Sequence, residues 1–286
     1  MSKLIDKKSG SEIVAFIIVD IVIWTFVLSY VFSLLWGVVA SMKTHNEIVL
    51  SPFSLPEKWH FKNFIDAFTL LEVKGTNMIG MIWNSLLLVI FGTFIAMAGN
   101  FLMAYALTKY DFMCKKLIIA VNLIVMTLPV IGNAGAAYRL YSVLGFIDSP
   151  TILFTFISGY GANVLLLQAC LSGLPDEYME AAAIDGAGNY RIMLQIMFPL
   201  ASGTVAALSV RVAVAYWNNT NMALLYLPNK PTLATGIYLF QTEMIYRARM
   251  DILMAATILS AIPPIVLYIV ANKTMLNNLT IGGLKG

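Results

Sequence analysis

The sequence predicts an all-α polytopic membrane protein with six transmembrane helices, on three grounds. Of the 286 residues, 59% are apolar and only 12% are charged, whereas soluble domains carry about 25% charged residues. The mean hydropathy is +0.81. Six stretches hold the roughly 20 mostly apolar residues that a helix needs to cross a bilayer. Lipid is therefore the expected solvent for most of the chain.

The predicted spans are long runs with at most one charged residue each, Asp20 in the first and Arg211 in the fifth. An even number of spans places both termini on one side. The lysines of residues 1–12 and of the loop after the second span place that side in the cytoplasm. The spans are residues 13–40, 81–107, 117–138, 151–171, 199–217 and 252–271, within a transmembrane domain of residues 13–271.

The segments between the spans divide into two groups. Residues 1–12, the loop 172–198 and the tail 272–286 are predicted to be cytoplasmic. Two long segments, residues 41–80 and 218–251, fall outside, where Pro52 and Pro56 mark turns in the first. We expect both outer segments to be ordered loops with short helices, because their turn residues separate short apolar runs.

The composition excludes several kinds of function. The net charge of +3 is spread without a Lys/Arg run, so nucleic acid binding is not expected. Cys114 and Cys170 are too few for a disulfide framework or a metal site. The sequence has no GxxxxGK[ST] phosphate loop and no evident nucleophile–base pair. We therefore expect a chain that is not an enzyme and holds no cofactor itself.

Irregular residues interrupt several spans. Pro129, with two nearby glycines, predicts a bend in the third span, either lining a pathway or packed against neighbouring helices. Pro263 and Pro264 predict a structural bend in the sixth. Asp20 and Arg211 are costly in lipid. Two alternatives stand for them: contact with substrate or with each other, or a position near span ends with side chains reaching the interface.

The loop 172–198 begins with features of a short helix. Pro175 suits the first turn, and Asp176 and Glu177 complement the positive end of the helix. Three alanines at 181–183 then continue it with the best helix former. The alanines leave a surface of little bulk, which another protein can approach closely.

The second part of the loop predicts a turn and another helix. Gly186 and Gly188 permit the first helix to stop and the chain to turn. Asn189 is a candidate cap for the second helix, and Pro199 marks the entry to the fifth span. Apolar residues at spacings of three and four give this helix one buried face: Ile192, Met193, Ile196 and Met197.

The same loop resembles the signature of the permease subunits of binding-protein-dependent ABC importers. That signature is Glu-Ala-Ala, three residues, Gly, nine residues, Ile, one residue, Leu and Pro. Phe198 stands here where the signature has Leu. The matching residues are Glu180, Ala181, Ala182, Gly186, Ile196 and Pro199.

Other stretches resemble the MalG-like sugar (carbohydrate uptake) branch of that family. They are NSLLLVIFGTFIAMAGNFLMAYALTKYDF at the second span, LYSVLGFIDS after the third, WNNTNMALLYLPNKPTLATGIY after the fifth and the C-terminal LTIGGLKG. The resemblance implies the type I ABC importer permease fold and an ATP-driven importer that carries a sugar or oligosaccharide.

The resemblance also implies partners and a coupling site. Expected partners are a homologous second permease, two ATPase subunits that hold ATP and Mg²⁺, and an extracellular solute-binding protein. The location implied is the bacterial cytoplasmic (inner) membrane. The loop helix would dock on an ATPase and transmit its motion, with these coupling residues: Glu180, Ala181, Ala182, Asp185 and Gly186.

Alternatives remain at this stage. An ABC importer of the same design can carry a peptide or phosphate. An ion-coupled secondary transporter would need embedded carboxylates in inverted repeats, and only Asp20 lies within a span. Substrate contacts are not assigned. Aromatic and amide residues suited to a sugar are Asn133, Tyr138, Asn163, Gln168, Tyr216, Trp217, Asn218 and Asn219.

Overall fold

The computed structural model describes residues 10–128, 132–243 and 249–279. The N-terminal lysines, Pro129 and the end of the tail lie outside these ranges. The chain divides into two compact units, Met1–Leu71 with Gln241–Leu259, and Glu72–Phe240 with Ser260–Gly286. The helix α13 contributes residues to both.

Helices form nearly all of the regular structure. In chain order they are α1 (Gly10–Ala40), α2 (His45–Leu50), α3 (Lys62–Leu70), α4 (Met78–Lys109), α5 (Lys115–Thr127), α6 (Ala134–Val143), a 3₁₀ helix (Pro150–Phe156), α7 (Ala162–Ser172), α8 (Glu177–Ile184), α9 (Asn189–Ile192), a π-helical turn (Met193–Met197), α10 (Phe198–Trp217), α11 (Thr220–Tyr226), α12 (Leu233–Glu243) and α13 (Met250–Leu279).

The segment after α1, in the first unit, is an ordered loop built around a buried lysine. Lys43 is fully buried, and its Nζ donates to the carbonyls of Ser51 and Pro52 and to Ser54 Oγ at 2.9–3.2 Å. Asn63 Nδ2 donates to the carbonyl of Lys43 at 2.8 Å. The predicted ordered loop is thus confirmed, because a buried ammonium persists only where oxygens replace its water.

A capping box fixes the start of α2 in the same loop. Glu47 accepts hydrogen bonds from the backbone N–H groups of Thr44 and Glu57, both at 2.8 Å. The Thr44 and Glu57 backbone bonds are the main reason that the pKa of Glu47 falls to about 2. The carboxylate is therefore ionised, and able to hold both N–H groups, at any pH above the acid range.

The second unit has its core where α4, α7 and α10 pack together. Phe101, Leu167 and Met197 belong to this core. Gly99 lets α4 approach the segment before α7 closely, because a Cβ at this position would lie 2.1 Å from the carbonyl oxygen of Ser158. The helices that carry the candidate coupling loop are thus fixed in one packed body.

A two-stranded antiparallel hairpin, which was not predicted from the sequence, precedes α4. The strands β1 (Glu72–Val73) and β2 (Thr76–Asn77) pair two residues each. Lys74 and Gly75 join them with φ values of 52° and 74°, as a type I′ turn requires. All other regular structure among the described residues is helical, as predicted.

Four helices are long and apolar enough to cross a membrane in the described part of the chain: Val14–Ala40, Met78–Lys109, Asn189–Trp217 and Met250–Ala271. The third predicted span corresponds to two shorter helices, α5 and α6. The fourth corresponds to the 3₁₀ helix and α7. The count of six spans stays a prediction.

Local backbone chemistry explains both interruptions. Leu128, which follows α5, has an extended backbone with ψ of 119°, as expected for a residue followed by proline. Gly161, which precedes α7, has a φ of +91°, a conformation that cannot continue a right-handed helix. Pro263 and Pro264, by contrast, lie inside α13, which continues as a helix through both.

Candidate functional site

The first helix of the loop 172–198 is α8, and it begins later than predicted. Pro175 precedes the helix, whose first residue is Glu177. The carbonyl of Asp176 accepts hydrogen bonds from the N–H groups of Met179 and Glu180 at 2.9 and 3.1 Å. The Asp176 side chain makes no cap. Glu177 and Glu180 supply the acidic charge of the first turn, which the helix dipole favours.

The end of α8 is a Schellman turn at Gly186. Its φ is +81°. The N–H of Ala187 donates to the carbonyl of Ala182 at 2.9 Å, and the N–H of Gly186 donates to that of Ala183 at 3.0 Å. This is the paired bonding that stops a helix with glycine in the left-handed conformation. The prediction of a stop at Gly186 is confirmed.

The second helix starts one residue earlier than predicted. Gly188 is the N-cap, and its carbonyl accepts from Arg191 and Ile192. Asn189 is the first helical residue and does not cap, so that assignment was wrong. A glycine cap needs no side-chain bond, because its extended backbone already exposes the next N–H groups to solvent.

The predicted apolar face of this helix is confirmed. Ile192, Met193 and Met197 are buried, and Ile196 packs against the same core. The helix α9 continues through the π-helical turn into α10, where Pro199 lies in the first turn. The loop is thus a short helix, a glycine turn and a second helix joined rigidly to a long apolar helix.

The structure places the five candidate coupling residues on two sides of α8. Glu180, Ala181, Asp185 and Gly186 are exposed. Ala182 is buried and packs against the core of its own chain. Four of the five residues are therefore exposed on the surface of the protein. Ala182 instead packs α8 against the helical core of the second unit, to which α8 belongs.

Two exposed apolar side chains beside them were not predicted as site residues. Ile184 is 86% exposed at the end of α8, and Tyr190 is 82% exposed at the start of α9. Ile184 is a large apolar residue two positions after the buried Ala182, so it cannot share the buried face of the helix. This spacing was the sequence signal that could have identified the exposed face.

An ion pair joins the start of this loop to the end of α4. Lys109 Nζ lies 2.6 Å from Asp176 Oδ1, with the lysine side chain 6% exposed and the aspartate 73% exposed. The ammonium also donates to the carbonyl of Leu174 at 3.4 Å. Beside it is a cleft of about 470 Å³ with Ser172 and Glu180 in its wall. The sequence did not reveal this pair, because 67 residues separate its members.

We expect Asp176→Ala to destabilise the protein more than Lys109→Met. Removing the aspartate leaves a buried ammonium with one carbonyl, whereas removing the lysine leaves a carboxylate in water. The first loss should be about 1–2 kcal/mol, between the values for exposed and buried pairs. Thermal unfolding of the purified protein measures both variants.

Asp111→Ala is the control, because it breaks an exposed pair with Lys115 at 2.9 Å in the same region. The Lys115 hydrogen bond, aided by the lysine charge, lowers the pKa of Asp111. Loss of the exposed Asp111–Lys115 ion pair should have no measurable effect on the unfolding temperature. Equal destabilisation by Asp176→Ala and Lys109→Met would show that burial of the ammonium does not matter.

The chain is similar along most of its length to curated permease proteins. It is 26% identical over 266 residues to the diacetylchitobiose uptake system permease protein NgcG of Streptomyces coelicolor, covering 92% of this chain and 86% of the relative. It is 27% identical over 259 residues to the arabinooligosaccharides transport system permease protein AraQ of Halalkalibacterium halodurans, covering 90% and 91%. No protein-family model matches the chain.

The fold matches a solved bacterial ABC transporter involved in the import of the acidic polysaccharide alginate. The TM-score is 0.74 at 19% identity, and the match covers 93% of this chain and 98% of the other. The chain is similar in sequence and in fold to permease subunits of ABC importers. The permease is therefore a multi-pass membrane protein, as its apolar helices predicted.

Most of the polar residues considered for the substrate have structural partners in the permease. Trp217 Nε1 donates to the carbonyl of Ser260 at 3.0 Å, and Asn218 Nδ2 donates to that of Val214. Asn219 caps α11. The Tyr216 ring packs edge-on against Phe156 with centroids 4.7 Å apart. These contacts explain the residues as packing and capping groups.

Asn163 differs from them because it is joined to a charged residue. Arg211 Nη2 of α10 donates to Asn163 Oδ1 of α7. Arg211 lies six residues before the end of α10, well inside the helix. The bond to Asn163 was in neither of the two alternatives for this arginine, and its place inside α10 disfavours a position at the span end.

Proposed function

We propose that the permease forms half of the translocation pathway of an ATP-driven importer for a sugar or oligosaccharide. The observation that carries this proposal is the similarity, over about 90% of the chain, to two permeases of saccharide transport systems. The alginate importer with the same fold also carries a saccharide. A peptide or phosphate importer has no such support.

We infer that the loop 172–198 is the coupling site for a separate ATPase. Glu180, Ala181, Asp185 and Gly186 form an exposed surface of low bulk, with Ile184 available to enter an apolar groove. Ala182 and the buried residues of α9 hold this surface on α10. A displacement of α8 by the ATPase would therefore be transmitted to the long helix α10 and would not be absorbed by a flexible loop.

The energy source in this proposal is external to the chain. Two ATPase subunits would hold ATP and Mg²⁺, and a homologous second permease would complete the pathway. The described residues contain no group of three or more potential metal ligands. In this proposal the permease catalyses no reaction itself and holds no cofactor, because the separate ATPase subunits bind and hydrolyse ATP.

We also propose that both termini and the coupling loop face the cytoplasm of a bacterial cell, with the outer segments facing an extracellular solute-binding protein. The segment Asn229–Thr235 is the part we expect to help release the substrate. Asn229 is fixed to Asp148 by two hydrogen bonds of 3.0 and 2.8 Å. Lys74 donates to the carbonyl of Pro228. Asp148 thus holds the first residue of the segment, and Lys74 holds the residue that precedes it.

Charge reversal at Glu180 tests the proposal. We expect Glu180→Arg to reduce ATP-driven saccharide uptake by about tenfold or more, because a docked charge that loses its partner costs about 2–5 kcal/mol. The measurement is uptake of a panel of labelled oligosaccharides into proteoliposomes that contain the complete complex and its binding protein, together with ATP hydrolysis.

Asp111→Arg is the matched control, because Asp111 is an exposed carboxylate outside the loop 172–198 and outside both outer segments. It should leave uptake unchanged. The coupling assignment fails if Glu180→Arg behaves like Asp111→Arg. The sugar assignment fails if the wild-type complex carries no saccharide of the panel.

A further inference from the structure

An interruption between the 3₁₀ helix and α7 brings backbone and polar side chains together in the second unit. Residues 157–161 are not helical. Asn122 Oδ1 of α5 accepts a hydrogen bond of 2.6 Å from the N–H of Gly161. Non-helical backbone at membrane depth is tolerated where protein or a water-filled cavity surrounds it. The interruption is therefore a candidate part of the pathway.

The polar groups at this interruption lie deep in the expected span. Asn163 precedes the end of α7 by nine residues, and Arg211 follows the start of α10 by 13. At the helical rise these positions are about 14 and 20 Å from the helix ends nearest the coupling loop. The hydrocarbon core is about 30 Å thick. Arg211 and Asn163 thus lie near its middle.

No acidic residue in the described part of the chain forms an ion pair with Arg211. Its guanidinium is exposed and donates to the neutral Asn163. The ion pairs of the described residues do not include it. A guanidinium at this depth does not face lipid, because desolvation of the charge is too costly. The exposed face of α10 at Arg211 therefore faces water, substrate or a partner subunit.

A second observation at the same interruption points to a ligand. Asn122 is 5% exposed, and its Nδ2 has no hydrogen-bond partner. Since Asn122 Oδ1 is held by Gly161, the amide N–H₂ lies beside the interruption. A buried donor without an acceptor is unfavourable. Among residues 10–128, 132–243 and 249–279, Asn122 Nδ2 thus lacks an acceptor and Arg211 lacks an acidic partner.

An exposed aromatic residue directly precedes Gly161, whose N–H is bonded to Asn122. Tyr160 is 63% exposed and belongs to the non-helical segment. Its ring offers an apolar face and its hydroxyl a further hydrogen bond. An apolar ring face with adjacent donors suits a pyranose ring, whose C–H groups lie on its faces and whose oxygens lie at its rim.

We propose that Arg211, Asn122 and Tyr160 form a subsite for an acidic saccharide, with its carboxylate at Arg211 and its ring at Tyr160. This inference rests on the proposed sugar-import function and specifies its substrate class. A carboxylate supplies both the negative charge that Arg211 lacks and the acceptor oxygens that Asn122 requires. A neutral sugar supplies only oxygens and leaves the guanidinium charge uncompensated at the membrane centre.

The test uses matched pairs of substrates in proteoliposomes that contain the complete complex and its binding protein. The probes are uronate-containing oligosaccharides and the same oligosaccharides after carboxyl reduction, which replaces each carboxylate with a neutral hydroxymethyl group. We expect Arg211→Gln to reduce ATP-driven uptake of the acidic members by about tenfold or more, because hydrogen bonds to a charged group are lost. Arg211→Lys should restore part of the uptake.

Arg139→Gln is the control, because it removes an equal charge from the exposed helix α6. It should leave the acidic-to-neutral uptake ratio unchanged. Asn122→Asp is a second variant, which places a negative charge beside the same subsite and should also lower that ratio. Size-exclusion chromatography of each complex reports assembly.

Each other outcome overturns the inference. Wild-type uptake of the reduced oligosaccharides alone would refute the acidic subsite while leaving sugar import intact. Equal loss of acidic and neutral uptake in Arg211→Gln would assign the arginine to packing. Loss of the second permease from the purified Arg211→Gln complex would assign it to a carboxylate of that partner. Uptake of neither series would refute both this inference and the proposed function.

Discussion

Replacement of Gly186 by valine should abolish ATP-driven uptake by the assembled complex. Gly186 has a φ of +81°, which costs a β-branched residue about 1–3 kcal/mol. The Schellman bonds from Gly186 and Ala187 hold α8 against α9. Without that turn, α8 would no longer present Glu180 and Ile184 at a fixed angle. Uptake into proteoliposomes and the accompanying ATP hydrolysis measure the loss.

Two neighbouring substitutions separate backbone conformation from side-chain volume. Gly186→Asn should retain most of the uptake, because asparagine tolerates the left-handed conformation better than other residues. Gly188→Ala should also be tolerated, since Gly188 has a φ of −72° and a Cβ there meets no atom within 4 Å. If Gly186→Val transports as well as Gly186→Asn, the turn does not transmit force.

The coupling loop was the part of the site most fully predicted by the sequence. Its elements depend on residues close in the chain: helix-forming alanines, Gly186 at the stop, and Ile192 and Met197 on one helical face. The errors lay at the helix boundaries, at the buried Ala182 and at the exposed Ile184 and Tyr190, which were not predicted. Asn189 was predicted as the cap where Gly188 serves, because both residue types are favoured at that position.

Contacts between distant residues were not predictable in the same way. The pair of Lys109 with Asp176 and that of Arg211 with Asn163 join residues 67 and 48 positions apart. Their formation depends on how α4, α7 and α10 pack. Hydropathy marked residues 151–171 as one apolar stretch, but it did not show that Gly161 would divide the stretch into a 3₁₀ helix and α7.

The interruption before α7 also yields a prediction about stability. We expect Gly99→Ala to destabilise the permease, although alanine is favoured over glycine in a helix by about 1 kcal/mol. Its Cβ would lie 2.1 Å from the carbonyl oxygen of Ser158 and 3.1 Å from the carbonyl carbon. Backbone atoms cannot rotate away as a side chain can. Overpacking typically costs about 1–3 kcal/mol, so the steric term should exceed the helical gain.

Thermal unfolding of the purified complex measures this effect, with Gly135→Ala as the control. Gly135 lies in α6, and a Cβ there meets no atom within 4 Å, so this variant should be as stable as the wild type or slightly more stable. Because Gly161 is held by Asn122 three residues after Ser158, displacement of Ser158 should also disturb the proposed subsite and reduce uptake. If Gly99→Ala instead raises the unfolding temperature, as helix propensity alone predicts, α4 and residues 157–161 are not in close contact in the assembled permease.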